Sequence, residues 1–199
     1  MPMTRPVQVR LADPAADADR VAAIYRPAVE ETIASFEAVA PGREEMGERM
    51  RATLERLPWL VAELDGAVAG YAYAAPHRPR AGYRWAVDVS VYIDPDRRET
   101  GIGRALYDDL LALLRRQRFV NVYAGIALPN PASVRLHEGI GMRRIGVYER
   151  VGFKFGAWHD VAWYGLRLGD PRGTPPEPIP LPDLGRAGAD LRQGLGCPS

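Results

Sequence analysis

The 199-residue chain carries 26 Lys and Arg against 25 Asp and Glu, a net charge of +1, with 47% hydrophobic and 26% charged residues. That length favours one domain with an appendage and suffices for a substantial core, while the even charge leaves no electrostatic footprint for nucleic acid or an anionic membrane. The single cysteine, Cys197, excludes an intramolecular disulfide and a cysteine-based metal site, and no apolar run approaches the ~20 residues of a membrane span.

Residues 1–10 lack the apolar stretch of a secretory signal, so the cytoplasm is the simplest compartment. Val7, Val9 and Leu11 alternate with Gln8 and Arg10 and predict a strand. Asp17 is placed to cap a helix with Val21, Ile24, Tyr25 and Ala28 on its apolar face, and Pro27 predicts a break, with a second short helix running to about Thr32. Residues 43–57 form a cleaner helix in which Met46, Met50, Leu54 and Leu57 recur at core spacing and Pro58 is the stop. Residues 59–64 and 68–74 flank Asp65-Gly66, a dipeptide suited to a tight hairpin turn. A polar, proline-containing loop over residues 76–84 leads to a strand over 87–93, where Val87, Val89, Val91 and Ile93 alternate against Asp88, Ser90 and Tyr92.

Gly101 opens a strong helix striped by Ile102, Ala105, Leu106, Leu110, Leu113 and Leu114; a strand over 120–126, a short helix over 131–139 and two β-like segments, 144–151 and 158–168, complete the pattern. This order implies an α/β domain with a mixed sheet and helices on both faces. Residues 170–199 hold seven of the 18 prolines and five glycines, which reads as an irregular or disordered tail after a domain spanning 5–169.

The chemistry concentrates after the 87–93 strand, in Arg98-Glu99-Thr100-Gly101-Ile102-Gly103 followed by a helix. Glycines at a helix start allow close backbone approach and expose N–H groups without intrahelical partners, an anion site suited to phosphates, with Arg98 adding a charged contact. The spacing is neither the G-x-G-x-x-G fingerprint nor a Walker loop, which argues against dinucleotide and nucleoside-triphosphate binding. On its own, Gly-x-Gly fits a tight strand-to-helix turn equally well.

Arg98-x-x-Gly101-x-Gly103 resembles the Arg/Gln-x-x-Gly-x-Gly/Ala signature of the GNAT acetyltransferases, and Asn130-x-x-Ser133-x-x-Leu136-His137-Glu138-x-x-Gly141 is similar to their second signature. The resemblance runs through residues 5–168. Within that superfamily, the segments 58–63, Tyr83-x-Trp85, 90–93, 128–131, 133–138, 151–154 and 158–161 look like the phosphinothricin and methionine sulfone (sulfoximine) acetyltransferase group. The resemblance implies the GNAT fold, a mostly antiparallel twisted sheet, and acetyl-CoA as cosubstrate. The pyrophosphate would lie on Arg98, Glu99, Thr100, Gly101, Ile102, Gly103 and Arg104, and the pantetheine arm along Val91, Tyr92 and Ile93 and near Asn130 and Ser133.

Attack on the thioester needs a neutral amine, and an α-amine with a pKa near ~8 is mostly protonated at neutral pH, so a base must remove a proton. The resemblance puts that base at Asp88, where the superfamily usually has Glu; the shorter side chain calls for a bridging water, and a plain ion pair with an arginine is the structural alternative. His137 stands where the family usually has Tyr near the thiol, which makes it a candidate proton donor to the CoA thiolate. Arg80 and Tyr83, in a loop that also holds His77 and Arg78, are the candidates for the acidic end of the acceptor, with Phe36 as an apolar wall; a solvated basic loop is the other reading. The three histidines are too dispersed to form a metal cluster, and no metal is expected.

The expected activity is therefore direct transfer of acetyl from acetyl-CoA to the primary amine of a small amino acid or analogue, in a ternary complex, by an enzyme that the resemblance makes a homodimer. Acetylation of another amine, such as a polyamine or a protein N-terminus, and a non-catalytic acetyl-CoA-binding module remain open from sequence alone.

Overall fold

The computed structural model describes residues 7–98, 100–170 and 172–185. In chain order the elements are β1 (Gln8–Leu11), α1 (Pro14–Glu30), α2 (Arg43–Leu54), β2 (Trp59–Leu64), β3 (Ala67–Pro76), β4 (Ala86–Ile93), α3 (Ile102–Arg116), β5 (Asn121–Ala127), α4 (Pro131–Gly139), β6 (Arg143–Lys154) and β7 (Ala157–Arg167). The strands form one seven-stranded sheet in the order β1-β2-β3-β4-β5-β7-β6. Every neighbouring pair is antiparallel except β4–β5. The β2–β3 turn is made by Asp65 and Gly66, both at positive φ (55° and 81°), the geometry that matches the twist of the flanking strands.

Alternation along the strands divides the interior in two. On one face the α3 stripe of Leu106, Leu110, Leu113 and Leu114 packs on Val87, Val89, Val122 and Ala124. On the other, Val21, Ile24 and Tyr25 of α1 and Met46 and Met50 of α2 meet Trp59, Val61 and Tyr71 of β2 and β3. The Met46/Met50 stripe is core, as its spacing predicts.

Two expectations for α1 are corrected. The helix is continuous through Pro27. Proline removes one bond, to the carbonyl four residues earlier, and that residue, Ala23, lies on the exposed side while the opposite face stays buried. The cap is Asp13, whose side chain accepts from the Ala15 amide at 2.9 Å. Asp17 is instead buried within the first turn, held by a two-pronged contact with Arg10 of β1 (2.6 and 2.8 Å) and by the Asp13 amide at 2.7 Å. Burial works to raise the Asp17 pKa, but the Arg10 hydrogen bonds, the amide and the Arg10 charge together bring it below the usual carboxylate range. The α2 helix closes at Leu54, one turn short of Leu57, which caps back on Thr53 with a 2.8 Å bond.

After β7, residues 176–181 lie against the body. Glu177 pairs with Arg84, and the Trp85 indole donates to the Pro176 carbonyl at 2.8 Å. Ile179 and the fully buried Gln117 exchange bonds of 2.9 Å, and Leu181 is buried. Cys197 lies outside the described residues.

Candidate active site

The parallel pair β4–β5 is short. Its register runs Ala86↔Asn121, Val87↔Val122, Asp88↔Tyr123 and ends there, although both strands continue. Beyond Asp88 the edge of β4 that carries Val91, Tyr92 and Ile93 therefore faces a gap in the sheet. The Tyr92 ring itself packs on Tyr25 and Tyr71, so only its backbone looks into that gap.

The loop at the end of β4 leads into the start of α3. Gly101 caps α3 with φ of 82°, a conformation that disfavours any side chain, and offers no side-chain hydrogen bond to the helix. The first intrahelical bond runs from the Ala105 amide to the Gly101 carbonyl at 3.0 Å. The amides of Ile102, Gly103 and Arg104 thus have no acceptor inside the helix, and they stand at its positive end. Arg98 is exposed just before this turn, and the Thr100 hydroxyl braces it through the Arg97 carbonyl at 2.7 Å. A diphosphate fits such a donor set.

The other two residues of the motif have packing roles. The Ile102 side chain is buried in the α3-side core, so its amide alone is available. A Cβ on Gly103 would stand 2.9 Å from the Leu136 side chain, so the second glycine brings α4 close to α3. The Arg104 guanidinium is committed to Asp108 and, at 2.9 Å, to the Gly139 carbonyl. Glu99 lies outside the described residues.

In the second motif, the Asn130 side chain caps α4 by accepting from the Ser133 amide at 3.1 Å. His137, the candidate proton donor, is engaged on both ring nitrogens. It is buried, and its Nδ1 faces the Ser133 carbonyl at 2.7 Å, which only accepts, so Nδ1 carries the proton. Nε2 then accepts from the Tyr107 hydroxyl at 2.8 Å. Burial lowers the His137 pKa, against the Ser133 hydrogen bond, which raises it. The Tyr107 contact ties α4 to α3.

Asp88 has a different partner from the arginine that sequence reasoning weighed. Its Oδ1 accepts from Nδ1 of His77 at 2.6 Å. Register explains this: Ala75 lies opposite Asp88, and the His77 amide bonds to the Ala86 carbonyl at 3.3 Å, so His77 just past the end of β3 hangs over Asp88. The imidazole rests 4.6 Å from the Tyr123 ring of β5, 6.2 Å from Trp163 of β7 and 6.1 Å from Tyr83. Burial pushes the Asp88 carboxyl above its usual pKa, with the His77 hydrogen bond and charge and the Arg78 charge pulling the other way. The sequence signal for this contact is the position of His77, immediately beyond the strand that pairs with the Asp88 strand.

Of the acceptor-side candidates, Tyr83 comes near His77, while Arg80 is exposed on the same loop. Phe36 lies farther along, packed on Gly152, where a Cβ would meet its ring at 2.3 Å, with its centroid 6.3 Å from the His159 ring. Sequence reasoning missed the clasp that holds this loop: Lys154 donates at 2.5 Å to both the Val29 and Ser35 carbonyls. Beneath it the Tyr25 hydroxyl donates to Glu37 at 2.8 Å, and Glu37 is gripped by Arg49. Among the described residues no three His, Cys, Asp or Glu side chains gather as a metal site, and no helix is long and apolar enough to cross a membrane.

Residues 12–163 match the family described as acetyltransferase (GNAT) domain. The chain belongs to the GNAT acetyltransferases. It is 38% identical over 178 residues to a phosphinothricin N-acetyltransferase of Streptomyces viridochromogenes, covering 89% of this chain and 96% of that protein. It is 39% identical over 111 residues to an L-methionine sulfoximine/L-methionine sulfone acetyltransferase of Salmonella typhimurium, covering 56% of this chain and 65% of the relative. Among solved structures, a GNAT superfamily phosphinothricin acetyltransferase from Sinorhizobium meliloti in complex with acetyl-CoA superposes with a TM-score of 0.83 at 34% identity, covering 90% of this chain and 97% of that one. The mostly antiparallel sheet with helices on both faces is thus the GNAT fold, as the motifs imply.

Proposed function

We propose that this acetyltransferase moves an acetyl group from acetyl-CoA to the primary amine of a small amino acid or analogue of the phosphinothricin, methionine sulfone or methionine sulfoximine type, by direct attack in a ternary complex. The observation that carries this reading is the Asp88–His77 pair at the point where β4 and β5 part, in the same sheet opening that the bare amides at the start of α3 adjoin. The amides of Ile102, Gly103 and Arg104, with Arg98 and Thr100, hold the diphosphate; the β4 edge at Val91, Tyr92 and Ile93 lies along the pantetheine arm, and one of its amides stabilises the oxyanion. Capped by Asn130, the start of α4 with Ser133 forms the opposite bank. The acceptor enters from the α1–α2 side, where Arg80 and Tyr83 receive its acidic end and Phe36 walls its side chain.

Acetyl-CoA consumption by the purified enzyme over these analogues, polyamines and N-terminal peptides tests the reading. The anionic amino-acid analogues are expected to turn over fastest, with intersecting initial-velocity lines; parallel lines or a polyamine preference overturns it, and CoA uptake without turnover on any amine makes the chain a binding module. Arg80→Ala is expected to raise acceptor KM about tenfold, the loss of one charged hydrogen bond, with acetyl-CoA KM unchanged.

The proposal includes a cytoplasmic enzyme, a compartment where acetyl-CoA is at hand. A homodimer is part of the same proposal. Ile145, Tyr148, Val151, Phe153, Phe155 and Trp158, on and between the edge strand β6 and β7, are each at least half exposed, an apolar surface suited to a second copy. Light scattering should give twice the chain mass and the single-chain mass for Phe153→Asp; a monomeric wild type overturns this part.

A further inference from the structure

We infer that His77, through its Nε2, is the group that takes the proton from the acceptor amine, and that Asp88 is the positioning residue that holds the imidazole for this task. The inference deepens the proposed acetyl transfer and rests on it. A carboxylate only accepts, so the 2.6 Å contact requires the proton on Nδ1 and leaves the Nε2 lone pair free. Among the described residues nothing hydrogen-bonds to that Nε2, and it is not among the buried polar atoms that lack a partner. The pair is only partly covered, with 15% of the His77 side chain and 29% of the Asp88 side chain exposed. His137 makes the contrast: its two nitrogens are both engaged and its ring is sealed.

Position argues the same way. From the end of β3 the ring reaches over Asp88 to Tyr123 and Trp163, so it overhangs the place where the β4–β5 pairing stops. Asp88 alone is short and already shares Oδ1; an imidazole carried on it extends the reach toward the gap. The groups that face His77 are Asp88 from β4, Tyr123 from β5, Trp163 from β7, and Tyr83 and Arg78 from its own loop. Only Asp88 among them is an anion that stabilises the imidazolium formed.

Written in full, the ammonium gives one proton to Nε2 and the freed lone pair forms the C–N bond. The C–S bond breaks with its electron pair on sulfur, and the second nitrogen proton passes to that sulfur. The products are the amide, the CoA thiol and an imidazolium that returns its proton to water.

The test compares His77→Gln, Asp88→Asn and the double variant with wild type. Glutamine keeps a donor for Asp88 but takes no proton. His77→Gln is expected to lose about 10²–10³ in kcat, the range of a general base, with acetyl-CoA Kd by calorimetry unchanged. The double variant should fall within about threefold of His77→Gln, because the two residues act as one unit. Added imidazole should restore part of the rate of His77→Gly and none of that of Asp88→Asn. Nitrogen-detected NMR of the wild type should show the Nδ1–H tautomer at His77, shifted in Asp88→Asn. A His77→Gln enzyme within about tenfold of wild type, or an Nε2–H tautomer, overturns the inference while leaving acetyl transfer intact. A wild type that binds CoA and acetylates no amine overturns both.

Discussion

The two faces of the sheet are held by different chemistry. The α3–α4 face is aliphatic: Leu106, Leu110 and Leu114 are wholly buried against Val87, Val89 and Val122, and the Tyr107–His137 pair buried there is satisfied internally. The α1–α2 face is aromatic and ionic. Trp59 stacks on Tyr73 at 4.3 Å and on Tyr71 at 5.6 Å. Around them stand Arg10 with Asp17 and Glu63, Arg49 with Glu37 and Glu45, and the Asp88–His77 pair. Consecutive residues of β7 show the division: Trp163 reaches His77 on one side and Tyr164 approaches His137 on the other. On the proposed reading, the face that packs tightly anchors the cofactor turn, and the face rich in partly covered polar groups surrounds the amine. A reaction that removes a proton needs groups that are held but not sealed, and the first face has none to spare.

This contrast breaks in different ways under mutation. Leu110→Ala on the aliphatic face should cost about 2–5 kcal/mol, transfer plus cavity, with acceptor KM unchanged; chemical denaturation measures it, and a loss below about 1 kcal/mol would mean that the α3 face is not the tight one. Asp17→Ala on the polar face should cost less, about 1–3 kcal/mol, because Arg10 keeps Glu63 and is one-third exposed, which screens the charge left behind. Its signature is pH. The folded-state pKa of Asp17 is depressed, so its stabilisation is present above the usual value near 3.8 and is lost as pH falls through the folded value. Wild type should therefore lose stability faster than the variant below about pH 4; parallel curves sink this assignment.

The same division decided what could be read from the sequence. The α3 stripe, the Met46/Met50 face, the Asp65-Gly66 turn and the Gly101 cap are local patterns, each set by neighbours a few residues away, and they appear where expected. The errors in α1 arose because long-range contacts override local signals: Pro27 is carried by a buried face, and Asp17 is drawn from a cap to Arg10 on β1. At the site, position alone made Asp88 and His137 look alike as candidates. What separates them is which atoms their neighbours offer. The Ser133 carbonyl, one helical turn before His137, and the Tyr107 hydroxyl consume its ring, whereas the β3–β4 register brings His77 to Asp88.

The smallest expected effect bears on the aliphatic face. Burial lowers the His137 pKa from its ordinary 6.5, so the unfolded chain takes up a proton there that the folded chain refuses. Stability should fall as pH drops below about 6.5, by at most about 1.4 kcal/mol per unit, and level off once the folded ring also titrates. This window lies above the one in which Asp17 and Glu37, both depressed by arginines, lose their contribution. His137→Gln offers Ser133 a donor and Tyr107 an acceptor without taking a proton. Urea midpoints between pH 7 and 5 should flatten in that variant while its loss below pH 4 remains as in wild type. A wild-type curve already flat from pH 7 to 5 would mean that His137 can be protonated in place, and the aliphatic face would then be less closed than its packing implies.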